Sequence, residues 1–388
     1  MLIVKKFGGT SVGDTCKIKR IAKLIAKEKD EHNSIVAIVS AMGKTTDGLV
    51  ALAAEVSTNP SPREMDVLLS TGERITMSLL AIALHEQGVD SVSLTGSQCE
   101  IITSTSHTNA RIVEIRASRI REAIAEGRVV IVAGFQGVST DREITTLGRG
   151  GSDTTAVAVA CALGANRCQI YTDVEGVFTS DPRYVKNAKK IDSISYPQMM
   201  AMAYSGSGIM HTRALEIAAN YDLEIEIKST FTNQNGTLIK KEDKSVENKS
   251  VTAISDKSNL LFCKFSADLK QTVSLFKDFE QNGIEIFEYE LLGEKLSLVF
   301  EKGFLEAIVE ILKKEGLRKP RLKNVKSISL IGHSISHNLT FVSEVLEAIV
   351  DHKVISVNRG DKDITLILNE DEDPQKLIGE FHKRFIED

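Results

Sequence analysis

Cysteine is scarce and scattered in this 388-residue chain, at Cys16, Cys99, Cys161, Cys168 and Cys263, with no Cys-x-x-Cys pair. That spacing excludes a disulfide framework and a zinc site, and it fits reduced thiols in a cytoplasmic protein. Basic charge is not in excess. Lys and Arg number 48 against 53 Asp and Glu, for a net charge of −5. With no basic stripe interleaved with aromatics, a general nucleic-acid surface is excluded. No apolar stretch approaches membrane-spanning length. The opening Met1–Phe7 has too short an apolar run for a signal peptide, and no small-residue cleavage site follows it. Also missing is the Gly-Lys-Ser/Thr that closes a Walker loop. With 42% hydrophobic and 26% charged residues, the composition is that of a soluble globular protein of two or three domains.

What is present begins at Lys6-Phe7-Gly8-Gly9-Thr10-Ser11, directly behind the apolar strand Leu2-Ile3-Val4. Glycines lack Cβ, so Gly8 and Gly9 let backbone N–H groups approach an anion closely. Thr10 and Ser11 are placed to cap the next helix, whose N-terminus also favours negative charge. Lys6 brings a mobile point charge to a polyphosphate. Taken alone, the hexapeptide reads equally well as a plain tight turn.

Strand-like segments at Leu2–Lys5, Ile35–Val39, Ser91–Leu94, Val129–Ala133, Gln169–Thr172 and Glu224–Ile227 alternate with helical ones. Such alternation predicts a doubly wound α/β sandwich, with ligands outside the carboxyl ends of the strands. The polar, aperiodic run Lys240–Lys249 reads as a linker. Beyond it come two consecutive βαββα units, the first opening at strand Leu260–Phe265, the second at strand Ile328–Ile331. The expected domains are therefore 1–242, 251–319 and 325–388, and small sheets with one helical face suit oligomerisation.

Thr146-Leu147-Gly148-Arg149-Gly150-Gly151-Ser152-Asp153-Thr154 opens the apolar helix 156–163. Ser152 or Asp153 as N-cap is the plain reading, yet three glycines around an arginine exceed what a cap needs. Acids in Asp173–Arg183 suit nucleotide or Mg²⁺ contacts and equally suit ordinary turns. Ser40–Asp47 follows a buried strand, where hydroxyls are common caps. Glu73, in a Thr71–Arg74 interruption of a helical stretch, reads by itself as a solvated side chain, and His107 as a loop or cap histidine.

Together these pieces resemble aspartokinases of the amino-acid kinase superfamily. The matching segments, in the family's order, are Lys6–Val12, Val39–Asp47, Leu68–Arg74, Val92–Gly96, His107–Ile112, Gly134–Gly137, Thr146–Thr155, Tyr171–Arg183 and Gly236–Ile239. The two C-terminal units resemble paired ACT regulatory domains. The resemblance implies phosphoryl transfer from MgATP to the β-carboxylate of L-aspartate, as the first step of lysine, threonine and methionine biosynthesis. It implies that Arg149 forks onto a substrate carboxylate and Glu73 takes the ammonium, with Ser40, Thr45, Gly150, Gly151 and Ser152 also on the substrate. Lys6 is implied to neutralise charge on the transferring phosphoryl, and Asp153 to hold Lys6. Gly8, Gly9, Thr10, Ser11, Thr172, Asp173, Asp181 and Arg183 are implied on the nucleotide side, and Tyr171 or Val177 at the base. No resident metal site is implied beyond the Mg²⁺ of the nucleotide.

Two stretches depart from the family pattern. Gly208 and Thr212 stand where many members carry lysine and proline, with Arg213 and Lys228 as cations able to compensate. A glycine-bearing turn occurs in the second ACT-like unit, making Ser334, Ile335 and Asn338 its effector candidates. Lysine or threonine is the implied effector, and a homodimer or higher homo-oligomer through the ACT units the implied assembly. The chain ends just after the second unit, so no fused dehydrogenase is expected. Two other readings stay open here: a non-catalytic ACT-bearing regulatory subunit, which Gly208 favours, and a kinase of another acidic amino acid such as glutamate.

Overall fold

A computed structural model describes residues 1–31, 33–232, 234–241 and 251–387. The chain divides into two units. One comprises Met1–Val177, Lys190–Met200 and Gly208–Lys244; the other comprises Phe178–Lys189, Ala201–Ser207 and Ser245–Asp388.

Eight strands form the main sheet of the first unit, in the order Ser193–Ser195, Thr237–Lys240, Ile225–Ser229, Arg167–Thr172, Leu2–Phe7, Ser34–Val39, Val129–Ala133, Ser91–Leu94. All neighbours are parallel except Ile225–Ser229 with Thr237–Lys240. The central strands are apolar without alternation and fully buried, as strands covered on both faces must be. On one face Ile18, Ile21 and Ile25 of helix Thr15–Asp30 and Met77, Leu80 and Leu84 of helix Thr71–His85 form one core with Phe7, Val39 and Ile131. Pro62–His85 is long and apolar enough to cross a membrane by composition, but half of its most apolar window is buried here, and Met77, Leu80 and Leu84 lie in that core. Helix Gly151–Leu163, buried along most of its length, packs on the strands from the side to which Lys6 points.

All six expected strands lie in this sheet. A second sheet of this unit, ordered Ile112–Ile115, Ile101–Thr103, Gln136–Ser139, Ile144–Thr146, is additional to those expectations. Its strands have three or four residues, too few for a period of two to stand out.

The second unit carries a six-stranded antiparallel sheet, ordered Ile286–Leu292, Lys295–Glu301, Val251–Ser266, Leu322–Gly332, Asp363–Asn369, Val354–Arg359. The expected βαββα order is present twice, but its strands are not divided as expected. The strand opening the first repeat begins at Val251 rather than Leu260, and its first half pairs with Ser327–Gly332 of the second. A register shift between Lys257 and Leu260 marks the passage from one repeat to the other. Each repeat keeps its own core, around Leu275, Leu298 and Phe300 in one and Val345, Leu366 and Phe381 in the other. Leu260, Val299, Val325 and Ile367 form a small third cluster. Segment Phe178–Lys189 also belongs to this unit. Val185 enters the second core, Ile254 N–H donates to the Thr179 carbonyl at 2.8 Å, and the Thr179 hydroxyl lies 2.9 Å from His382 Nε2. Of the expected linker, Lys240 is the last residue of a strand, and 242–249 lie outside the described residues.

Candidate active site

Alternation along Leu2–Phe7 sends Lys5 and Phe7 to one face and Lys6 to the other. There Lys6 Nζ meets Asp153 Oδ1 at 2.6 Å, with both side chains largely buried. Asp153 stands in the first turn of helix Gly151–Leu163, whose N-cap is Gly150. The plain expectation of Ser152 or Asp153 as cap is therefore replaced by a glycine. The cause is steric: Gly148 (φ 75°) and Gly150 (φ 67°) hold left-handed conformations, and a Cβ on Gly150 would sit 2.3 Å from that of His211. This tight loop leaves Arg149 exposed before the helix N-terminus, where backbone N–H groups and the dipole favour an anion.

The turn after Phe7 approaches backbone just as closely. A Cβ on Gly9 would lie 3.1 Å from the Ala41 carbonyl oxygen and 3.2 Å from that of Gly43, and Gly43 N–H donates to the Gly9 carbonyl at 3.0 Å. Gly8 N–H donates to the Tyr171 carbonyl at 3.3 Å, so that donor holds the turn itself. The following helix is capped by Asp14, which accepts from Lys17 N–H at 2.9 Å, and not by Thr10 or Ser11. Thr10 is exposed, and the Ser11 hydroxyl shares a 2.6 Å hydrogen bond with that of Thr230.

Ser40, Thr45 and Glu73 gather next to this turn. Ser40 N–H donates to the Phe7 carbonyl at 3.1 Å, and the Thr45 hydroxyl donates to the Met42 carbonyl at 2.6 Å. Gly72 packs so tightly on Ala41 that its absent Cβ would lie 2.8 Å away. Glu73 is consequently 3% exposed, in the first turn of a helix rather than in an interruption, and its reading as a solvated side chain is overturned. Its Oε1 accepts from Ala41 N–H at 3.0 Å, whereas Oε2 is buried without a hydrogen-bond partner. Burial pushes this carboxyl up to about 7.

Two residues organise the loops in ways the sequence did not indicate. Asp66, fully buried on helix Pro62–Leu69, accepts from the Thr146 hydroxyl at 2.5 Å and Thr108 N–H at 3.0 Å, and pairs with His107 Nδ1 at 2.7 Å. It ties the His107 loop to the approach of the Gly148–Gly151 loop. Arg213 donates to the carbonyls of Leu147 (2.7 Å) and Ala110 (2.9 Å) and to Asn109 Oδ1 (3.3 Å). Arg213 therefore braces a loop instead of standing in for the cation absent at Gly208, and Lys228 pairs with Glu226 at 3.3 Å. A helical acid carries no sign in sequence of what packs over it, so Asp66 gives no signal there, and Arg213 reads only as a compensating cation.

On the expected nucleotide side, Thr172 closes its strand, accepts Thr230 N–H at 2.9 Å and donates through its hydroxyl to the exposed Asp173. Tyr171 stacks on Phe7 with ring centres 4.9 Å apart, and Val177 is fully buried, so neither side chain offers a face to a base. Asp181 and Arg183 belong to the second unit, where Arg183 Nε donates to both Asp181 oxygens at 2.9 and 3.0 Å and holds that carboxyl below its usual range. Of the effector candidates, Ser334 adopts φ 56°, Ile335 is buried in the core, and Asn338 caps helix Leu339–Ala348. Among the described residues, no group of three or more His, Cys, Asp or Glu is arranged to hold a metal ion.

Comparison with known proteins agrees with this geometry. The sequence profile of the amino acid kinase family matches residues 1–229. The aspartokinase of Geobacillus stearothermophilus is 42% identical over 370 residues, 92% of this chain and 91% of that protein. Aspartokinase 2 of Bacillus subtilis is 54% identical over 253 residues, 65% of this chain and 62% of its own length. Among solved structures, E. coli aspartokinase III in complex with aspartate and ADP shares the fold, with a TM-score of 0.84 over 99% of both chains at 23% identity. Aspartate kinase from Synechocystis is 30% identical, with a TM-score of 0.58 over 98% of this chain and 69% of that one. The profile match and a 42% identical aspartokinase covered almost end to end mean that this chain belongs to the amino acid kinase family and, within it, to the aspartokinases.

Proposed function

We propose that this aspartokinase transfers the γ-phosphoryl of MgATP to the β-carboxylate of L-aspartate, giving 4-phospho-L-aspartate. The observation that carries the choice of acceptor is Glu73 Oε2, a buried carboxylate oxygen without a partner beside Ser40 and Thr45. A buried unpaired acid is costly, and a substrate ammonium satisfies it. Arg149 supplies the fork for a carboxylate. Ser40, Thr45, Gly150, Gly151 and Ser152 complete the substrate side.

Lys6 neutralises charge on the transferring phosphoryl group, and Asp153 keeps its ammonium in place. Gly8, Gly9, Thr10, Ser11, Thr172 and Asp173 serve the nucleotide. The attacking carboxylate is already ionised at neutral pH, so no general base is needed. Positioning and preorganised charge carry the catalysis. The left-handed Gly148 and Gly150 and the helix N-terminus fit a polyphosphate. Mg²⁺ arrives on the nucleotide, since that ion commonly takes one or two carboxylates plus phosphates. Residues 1–242 form the catalytic domain, and 251–319 and 325–388 form ACT-like units that bind lysine or threonine and join protomers, in a cytoplasmic enzyme.

Incubating the purified chain with ATP, Mg²⁺ and hydroxylamine tests this reading. Hydroxamate formed with L-aspartate supports it, and hydroxamate formed preferentially with L-glutamate replaces the acceptor. No product with either acid, from folded protein that binds nucleotide, removes the kinase assignment.

A further inference from the structure

Lys5 has no part in the reaction above, yet its side chain is fully buried in the middle of a parallel sheet. On the face opposite Lys6, its ammonium lies 2.9 and 2.7 Å from the two Glu28 oxygens. It also donates to Gln169 Oε1 and to the Tyr171 hydroxyl, the latter at 3.1 Å. Gln169 extends the cluster by donating to Glu226 Oε2 at 2.8 Å, and Glu226 pairs with Lys228 at 3.3 Å and Arg167 at 3.5 Å. Three adjacent strands, Leu2–Phe7, Arg167–Thr172 and Ile225–Ser229, thus carry one buried polar network in a sheet otherwise filled with aliphatic residues. Burying an ammonium is unfavourable unless it is paired and hydrogen-bonded, and a methionine would fill the same space without that cost.

What the ammonium adds is direction. Tyr171 is gripped at its hydroxyl by Lys5 and on its ring by Phe7, at 4.9 Å between centres. The carbonyl of the same residue receives Gly8 N–H at 3.3 Å, and the next residue is Thr172. Through Tyr171, one branch of the network leads from Lys5 to the Lys6–Ser11 turn.

We infer that Lys5 is a positioning residue for the nucleotide: through Tyr171 it fixes Gly8 and Thr172 in the geometry that the phosphates require. The inference rests on reading Lys6–Ser11 as the phosphate turn. It predicts an effect confined to the nucleotide, because Glu73 and Arg149 stand on other elements. A purely structural Lys5 would instead lower thermal stability and leave the ratio of the two KM values unchanged.

The test compares the full-length chain with Lys5→Met, Tyr171→Phe and the double variant. Affinity for a fluorescent ATP analogue (mant-ATP with Mg²⁺), KM for ATP and aspartate, and melting temperature are measured. Lys5→Met should weaken mant-ATP binding and raise the ATP KM about tenfold, the loss typical of a hydrogen bond to a charged group, with the aspartate KM within about twofold. Tyr171→Phe should shift the same quantities in the same direction by less. The double variant should be no worse than Lys5→Met, because both changes remove one shared contact. Unchanged nucleotide affinity in folded variants, both KM values rising together, or fully additive effects would each overturn the inference. Should Lys5→Met fail to fold, Tyr171→Phe removes a single hydroxyl and decides alone. Wild-type protein that binds mant-ATP but yields no aspartate hydroxamate would sink the acceptor assignment and leave this binding test in force. Wild-type protein that binds no mant-ATP overturns both.

Discussion

The two units of this chain handle backbone differently, and their chemistry differs accordingly. In the first, the parallel strand Leu2–Phe7 runs into the glycine turn Gly8–Gly9, the short antiparallel strand Ile144–Thr146 runs into the glycine loop Gly148–Gly151, and polar side chains collect at those ends. Lys6, Asp153, Glu73 and Asp66 are all buried or nearly so, and all but one of their charges are matched. In the second, antiparallel strands are long and continuous, and Val251–Ser266 and Leu322–Gly332 each run through both repeats. Its buried side chains are overwhelmingly apolar, and large hydrophobic residues such as Leu269, Tyr289, Leu292, Leu339 and Val350 remain exposed. A parallel sheet gathers chemistry at one edge, where every strand stops. A continuous antiparallel sheet has no such shared end, because neighbouring strands stop at opposite edges. Substitutions in the first unit should therefore alter turnover more than stability, and the reverse should hold in the second.

The sharpest attempt to break that contrast is Lys6→Ala. It should lower kcat by about a thousandfold, the range seen when one preorganised charge donor is removed from a reacting centre. Because Asp153 stands at a helix N-terminus that favours its charge, the melting temperature should fall by only a few degrees. An unchanged kcat, measured at saturating ATP and aspartate, would remove Lys6 from the reaction. The counterpart is Phe300→Ala in the core of the first C-terminal repeat, where the ring is fully buried. It should cost about 3–5 kcal/mol of stability by the cavity rule, with basal kcat near wild type at temperatures where the chain stays folded. Denaturant unfolding and turnover on the same sample check both statements. Arg149→Ala comes next, with the aspartate KM rising about a hundredfold and the ATP KM little changed, as loss of a carboxylate fork should produce. Equal rises in the two would place Arg149 elsewhere.

Most of the fold was legible in the residues themselves. Ile35–Val39 and Val129–Ala133 are continuous apolar runs, and only a doubly covered parallel strand accommodates them. The βαββα repeats were legible because Asp268 and Gly283 punctuate a helix and paired apolar runs flank Gly293. The extent of the strand from Val251 was not legible, because Ser255-Asp256-Lys257-Ser258-Asn259 reads as polar loop. Its polarity reflects a passage between two cores with a register shift, not a chain break. At the site, glycines announced themselves by clustering, and Lys6, Arg149 and Asp153 by standing beside them. Glu73 and Asp66 did not, since burial of a helical acid depends on what packs over it. Gly72 against Ala41 and Thr146 against Asp66 are contacts between distant segments. The Asp14 cap was missed for a smaller reason: the turn after Gly9 takes four more residues before the cap is reached.

Among the described residues, one carboxylate in each unit is pushed up to about 7, which gives the contrast its finest test. Glu73 is raised by burial alone, and Glu288 by burial and then by the Asp363 carboxylate. For Glu73 the ionised form must receive an ammonium. Aspartate binding should therefore release a proton below pH 7, and the aspartate KM should rise by up to about tenfold per pH unit as pH falls beneath 7. Glu73→Gln should flatten that limb, and a KM independent of pH between 6 and 8 in the wild type would take Glu73 off the ammonium. Glu288 has no such ligand, so its shift bears on stability. Its folded value lies above the unfolded one near 4.5, so the folded state binds the extra proton between those values, and stability falls as pH rises from about 4.5 to 7. Glu288→Gln removes that loss. The melting temperature of the variant should exceed that of the wild type increasingly from pH 5 to 7, and by a constant small margin above 7. A gap that is largest at pH 5 and closes by pH 7 would reverse the sign. Saturating aspartate should shift the Glu73 titration downward and leave that of Glu288 where it is.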